Sequence, residues 1–186
     1  LWRCLLPKSG CYWRSFVFDE TNNAVAVNYF LAPGYIYIST EPAVISTVLG
    51  SSVAVCLYDR KRKIGGMAQF QLPQIKDPKK TTARYGNVAT LTLIRMMLEA
   101  GAKIKHLEAQ LFGGACKKDL SNRDIGKENI KAARRVLKGK KIRIVSEDIG
   151  GEKGRKVVFH TNTCEIAVLK VEKLRQVDWF PYDNDR

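Results

Sequence analysis

A β-hairpin written into residues 50–73 constrains this chain more than any other feature. Val53, Val55 and Leu57 alternate as a strand, Asp59 to Lys63 is polar and turn-like, and Gly66 to Leu72 reads as the returning strand. With the turn centred between Arg60 and Lys61, Ser52 falls directly across from Gln69, both side chains on one face. Directly opposed residues have Cβ atoms roughly 4.5 to 5.5 Å apart, within hydrogen-bonding reach. The Gly65-Gly66 pair is where a bulge would slip that register by one residue. The pairing sets a hydroxyl against an amide. A serine hydroxyl is a nucleophile only beside a base, and a glutamine side chain near neutral pH only donates or accepts hydrogen bonds.

The hairpin sits in a series of spaced motifs: Asn28-Tyr29-Phe30-Leu31-Ala32-Pro33-Gly34-Tyr35-Ile36, Thr47-Val48-Leu49-Gly50-Ser51-Ser52, Gly65-Gly66-Met67-Ala68-Gln69 and Leu72-Pro73. Arg84-Tyr85-Gly86, Phe112-Gly113-Gly114-Ala115, Ile125-Gly126 with Asn129, and Gly150-Gly151 with Gly154-Arg155 follow. Together they resemble the CheD-type chemoreceptor glutamine deamidases. By this resemblance the family's nucleophilic Cys falls on Ser52, its general-base His on Gln69 and its supporting Thr on Ser46, so all three chemical positions depart from the pattern. The resemblance implies a layered α/β sandwich, and a family activity of hydrolysing receptor glutamine side chains to glutamate. It also implies methyl-accepting chemoreceptors as partners and a CheC-type phosphatase as a second one. With Ser52, Gln69 and Ser46 at the three positions, the expectation is a CheD-like chemotaxis protein that recognises receptors and is catalytically impaired or inactive.

Two alternatives stand beside it. One is an active protein-glutamine deamidase with a rearranged nucleophile such as Cys56, which shares a strand face with Ser52. Its bland counterpart is a small buried core residue. The other alternative is a basic nucleic-acid-binding domain, suggested by a formal charge of +14. Such a charge favours an acidic partner, whether a nucleic acid, an anionic membrane surface or an acidic protein; the family resemblance implies the last, and the basic runs lack a nucleic-acid motif or an aromatic stacking array. For any single run the simpler reading is a solvated charged surface.

At 186 residues and 45% hydrophobic, the chain suffices for one sizeable core. No apolar run approaches the ~20 residues that cross a bilayer, so a soluble, cytoplasmic protein without membrane insertion is expected. Five scattered cysteines without a Cys-x-x-Cys pair, and two histidines, predict reduced thiols, no metal site and no cofactor. His106 and His160 are expected in strand-like stretches, in structural or exposed roles rather than catalysis.

Along the chain, residues 1–27 read as an appended N-terminal segment, a strand or arm carrying Trp2, Trp13 and Phe16. Residues 28–171 form the family-like domain, and 172–186 are a tail with Trp179-Phe180-Pro181-Tyr182. A helix capped by Asn87 buries Val88, Leu91, Ile94, Met97 and Leu98 and stops at Gly101. Ile104 to Phe112 is a strand. The glycines Gly113-Gly114 then either bring backbone amides to a carbonyl oxygen or tighten a turn. A second helix, Lys127 to Lys138, is capped by Asp124, ended by Gly139 and basic through Lys131, Arg134 and Arg135. Strands at 142–149, 156–160 and 165–171 follow, with Cys164 where the resemblance expects Gly. Strands outnumbering helices, with the two helices separated by strands, give an α+β fold with mixed sheets.

Overall fold

A computed structural model of the chain describes residues 2–4, 27–77, 79, 81–116 and 123–172. Among these residues ten strands form two five-stranded sheets. The first has the order β1-β10-β9-β4-β2 and the second β3-β6-β5-β7-β8. The strands are β1 Trp2–Cys4, β2 Val27–Phe30, β3 Ile36–Ser39, β4 Ala43–Leu49, β5 Val53–Asp59, β6 Ile64–Phe70, β7 Leu107–Gly113, β8 Arg143–Ile149, β9 Gly154–His160 and β10 Ile166–Val171. Each sheet is mixed: β2 runs parallel to β4 and β7 parallel to β8, while the other neighbours are antiparallel. The predicted α+β sandwich is therefore the observed architecture.

Three layers follow from what each face buries. One apolar cluster joins Leu31, Ile45 and Leu49 with Val157 and Phe159 of the first sheet to Ala54, Cys56, Met67 and Phe112 of the second. The other joins Val53, Val55, Leu57 and Phe70 to the helices α1 (Gly86–Glu99) and α2 (Ile125–Gly139). The second sheet is thus the middle layer, and every residue of β5 and β6 is buried. Alternation in β5 separates two buried faces instead of core from solvent.

The hairpin register differs from the expected one. Asp59 pairs with Ile64 and Val53 with Phe70, so the turn is Arg60–Lys63 and Gln69 lies opposite Ala54, not Ser52. The Asp59 carboxylate fixes this turn by accepting from Lys61 N (3.0 Å) and Arg62 N (3.2 Å). The displacement is two residues, and because side chains alternate with period two, Ser52 and Gln69 stay on one face. No bulge interrupts the ladder at Gly65-Gly66. Those glycines instead admit close neighbours: a Cβ on Gly65 would stand 2.8 Å from the Thr161 backbone, and one on Gly66 2.6 Å from Ile38 Cγ2.

The helices depart from expectation in detail. Asn87 is inside α1 and its carboxamide bonds the backbone of Ile75 in both directions (3.1 and 2.9 Å), while Tyr85 occupies the cap position without a side-chain bond. The buried face is Ala89, Thr90, Leu93, Ile94 and Met97, leaving Leu91 and Leu98 exposed. Small Ala89 and polar Thr90 disguise that face in the sequence, yet they permit close approach to the sheet. In α2, Asp124 caps as expected, accepting from Lys127 N at 2.8 Å. Gly139 is the last helical residue, and the left-handed conformation falls on Lys141 (φ 58°). Residues Ile104–His106 form a 3-10 turn before β7, so His106 is not in a strand. Cys164 adopts φ 64°, the left-handed conformation a glycine would take there.

Residues Trp2–Cys4 pair with β10. Val27, the last residue of the expected N-terminal segment, opens β2, whereas the rest of that segment and the aromatic tail lie outside the described residues. Among the described residues no helix is long and apolar enough to cross a membrane, and no group of His, Cys, Asp or Glu is placed to hold a metal.

Candidate functional site

Ser52 and Gln69 meet between the two sheets. Ser52 immediately precedes β5 and Gln69 is the penultimate residue of β6, with 5% and 0% of their surfaces exposed. Gln69 Nε2 donates to Ser52 Oγ at 3.3 Å and to Val48 O at 3.0 Å. The amide oxygen faces Thr47 Oγ1 at 2.5 Å, and the same hydroxyl lies 2.8 Å from Leu31 O. The Val48 carbonyl needs a donor, so it orients the amide with nitrogen toward Val48 and Ser52.

Ser46 does not join this group. It pairs in the ladder with Phe30 and Val158 and is only half-buried, while the neighbouring Thr47 points inward with Ile45 and Leu49. Thr47 is the hydroxyl that supports Gln69. Sequence reasoning missed it, although alternation along β4 would find it.

Ser52 is held by backbone from three directions. Gly114 N donates to Ser52 O and Ala115 N to Gly50 O, each at 2.8 Å. Gly113 has φ 101°, and a Cβ there would collide with the Ser52 carbonyl, so the end of β7 closes on the Ser52 turn only as glycine. The paired glycines therefore tighten a turn, and the Gly114 amide is already engaged. On the far side of this strip Gly150 N bonds Gly113 O (2.9 Å) and Cys116 N bonds Gly151 O (2.8 Å). That turn is pinned by Arg155, 2% exposed, which donates to Asp148 Oδ1 (2.9 and 3.0 Å), Gly150 O (2.7 Å) and Lys153 O (2.9 Å).

Asn129 of α2 is the third clamp. Fully buried, it donates through Nδ2 to Ser51 O and Gln71 O, both at 2.9 Å, tying the Ser52 turn to the chain just beyond Gln69. Across the site, the loop between β2 and β3 bonds the backbone of Gln69 in both senses: Gly34 N to Gln69 O (2.9 Å) and Gln69 N to Tyr35 O (3.1 Å). Tyr35 is 60% exposed there, and Arg84, also exposed, packs its Cγ against Gly34.

The remaining titratable groups are structural. Cys56 is 1% exposed, and burial, reinforced by neighbouring Cys164, holds its thiol well above the ordinary range, so it stays protonated. Burial likewise pushes Cys164 up to about 11. His106 Nδ1 lies 3.7 Å from Asp59 Oδ2, at the opposite end of β5 from Ser52. On α2, Arg134 pairs with Glu147 (3.0 and 2.5 Å) and Arg135 donates to Gln74 (2.9 Å), while Lys131 is exposed.

Comparison with known proteins identifies the family. The family model for CheD, chemotactic sensory transduction, matches residues 71–170, a stretch that holds Gly113-Gly114, Asn129 and Arg155. A probable chemoreceptor glutamine deamidase CheD of Trichlorobacter lovleyi is 41% identical over 160 residues, covering 85% of this chain and 99% of that protein. Proteins of the same description from Sulfurimonas denitrificans (35% over 147 residues) and Methanococcus maripaludis (37% over 147 residues) each cover 77% of this chain, and 94% and 96% of their own lengths. With a family model over more than half its length and such relatives over most of it, the chain belongs to the CheD family.

Proposed function

We propose that this protein recognises the glutamine-bearing segments of chemoreceptors and does not turn them over. Deamidation through an acyl-enzyme needs a nucleophile to attack the side-chain carbonyl and a base to take the nucleophile's proton and pass it to the departing ammonia. Water then hydrolyses the ester or thioester. The supporting observation is the contact between Gln69 Nε2 and Ser52 Oγ: the group beside the hydroxyl gives a proton to a hydrogen bond and has no basic lone pair to receive one. Loss of either member of such a unit costs about 10⁴ to 10⁶ in kcat, and loss of the second adds little.

The alternative of a displaced nucleophile at Cys56 finds no support in a buried, protonated thiol. The receptor assignment rests on the printed description of the relatives, which names chemoreceptor glutamine deamidases. A CheC-type phosphatase as second partner rests on the family resemblance, and a cytoplasmic location on the chemotaxis role of the matching family. The test is incubation of the protein with receptor fragment and mass analysis for amide-to-acid conversion. Binding without conversion is expected. Conversion that disappears in Ser52→Ala would overturn the inactive reading.

A further inference from the structure

Resting on that receptor reading, we propose that the Ser52 site selects a glutamate carboxylate over a glutamine amide, making this chain a reader of the acidic form of receptor segments. The donors and acceptors around the site carry the argument. Gln69 Nε2 spends its two hydrogens on Val48 O and Ser52 Oγ, and its Oε1 faces the Thr47 hydroxyl, whose single hydrogen is shared between it and Leu31 O. Ser52 Oγ is therefore an acceptor toward Gln69, and its own hydrogen turns away from it. Neither that hydrogen nor the Ser52 main-chain N–H donates to any described residue. The Ser51 carbonyl, held by Asn129 at 2.9 Å, fixes the Ser51–Ser52 peptide plane, and the trans geometry sends the Ser52 N–H away from α2.

The site thus presents two donors, while the carbonyls around it, Val48 O, Gly50 O, Ser51 O and Ser52 O, are already engaged; the unpartnered Asn129 Oδ1 is buried on the α2 side, away from the Ser52 N–H. A carboxylate meets both donors with acceptor oxygens. An amide meets them with its single oxygen but brings an NH₂ group that finds its acceptors taken, at the cost of an unsatisfied polar group. Charge acts in the same direction: the exposed Arg84 stands against Gly34, whose N–H bonds Gln69 O, and the chain carries +14.

The experiment is calorimetric titration of the full chain, near neutral pH and at fixed ionic strength, with three helical receptor-fragment peptides. Two are identical except for Gln or Glu at the modification position. The third keeps Gln there and carries its Glu on the opposite helix face, so that net charge is matched. The Glu peptide is expected to bind about tenfold tighter than either other, the scale of one charge-assisted hydrogen bond. Ser52→Ala, checked for an unchanged melting profile, should narrow the ratio to about threefold or less, and Arg84→Gln should narrow it partially. Equal affinities, tighter binding of the Gln peptide, or a preference insensitive to Ser52→Ala would overturn the inference while leaving receptor recognition intact. Binding of the displaced-Glu peptide as tightly as the first Glu peptide would reduce the preference to net charge and overturn it too. Failure of all three peptides to bind would contradict the receptor reading itself.

Discussion

The two faces of the middle sheet differ in what they bury. Toward the helices, Val53, Val55, Leu57, Ala68 and Phe70 meet Leu93, Ile94, Met97, Ile130 and Leu137, with Thr90 and Asn129 as the buried polar groups on the helices. Toward the other sheet the same two strands present Gln69 and the Ser52 turn to Thr47 and Val48, alongside Cys56 and Tyr58. Both faces bury apolar clusters, and the sheet-facing side adds, at its Ser52 end, polar groups whose partners are specified one by one. Truncation on the helix face should therefore cost stability, whereas changes at the Ser52 end should also alter recognition.

Truncation on the helix face gives the largest stability effect. Leu93→Ala, at a fully buried position, should cost about 2–5 kcal/mol by denaturant unfolding, and a loss under ~1 kcal/mol would show that α1 does not brace the hairpin. Asn129→Ala crosses the two regions, because it leaves Ser51 O and Gln71 O without their donor. About 1–3 kcal/mol is expected, together with faster amide exchange around Ser52. An unchanged exchange pattern would separate α2 from the site.

Acid sensitivity should be smaller and belong to the turn. Burial raises the Asp59 pKa, but donation from Lys103, Arg62 and Lys61 and the nearby His106 outweigh it and leave the carboxyl below its usual value. Its contribution is therefore present above about pH 4, the unfolded value, and lost as pH falls through the lower folded value. Burial, with Lys61, Lys105 and Arg62 outweighing Asp59, also depresses His106, so the unfolded state takes up its proton first as pH falls through about 6.5. Melting temperature should decline on acidification through both windows. Asp59→Asn should flatten the lower one, and an unflattened profile would assign acid sensitivity elsewhere.

The hairpin was legible because period-two alternation survives burial of both faces. Its register was not, because Arg60-Lys61-Arg62-Lys63 offers no residue that marks the turn centre; Asp59 does so only through hydrogen bonds made in the fold. A two-residue error preserves the face, which is why Ser52 and Gln69 still meet. A one-residue offset does not: the resemblance puts the supporting Thr at Ser46, whereas the hydroxyl that meets Gln69 is that of Thr47, on the opposite side of β4. The Asn129 clamp was hidden for another reason: its two acceptors are backbone carbonyls 78 and 58 residues distant.

Charge reversal on α2 should alter stability least. Lys131→Glu, at an exposed residue, should shift unfolding by about 0.5 kcal/mol or less, whereas Arg134→Glu breaks a pair with Glu147 and should cost more. If Lys131→Glu slows association with receptor fragment and added salt reproduces the effect, the basic surface steers the encounter. Tight duplex DNA binding with steep salt dependence would assign that surface to nucleic acid instead.

The central claim is that an intact frame holds a nucleophile position and a base position filled by residues that cannot act as a pair. Measuring receptor-fragment deamidation by Ser52→Cys/Gln69→His, beside each single variant and the unaltered chain, tests it most directly. The account predicts turnover in the double variant alone, since thiol and imidazole work as a unit. A folded double variant without turnover, or turnover by the unaltered chain that Ser52→Ala abolishes, would contradict it.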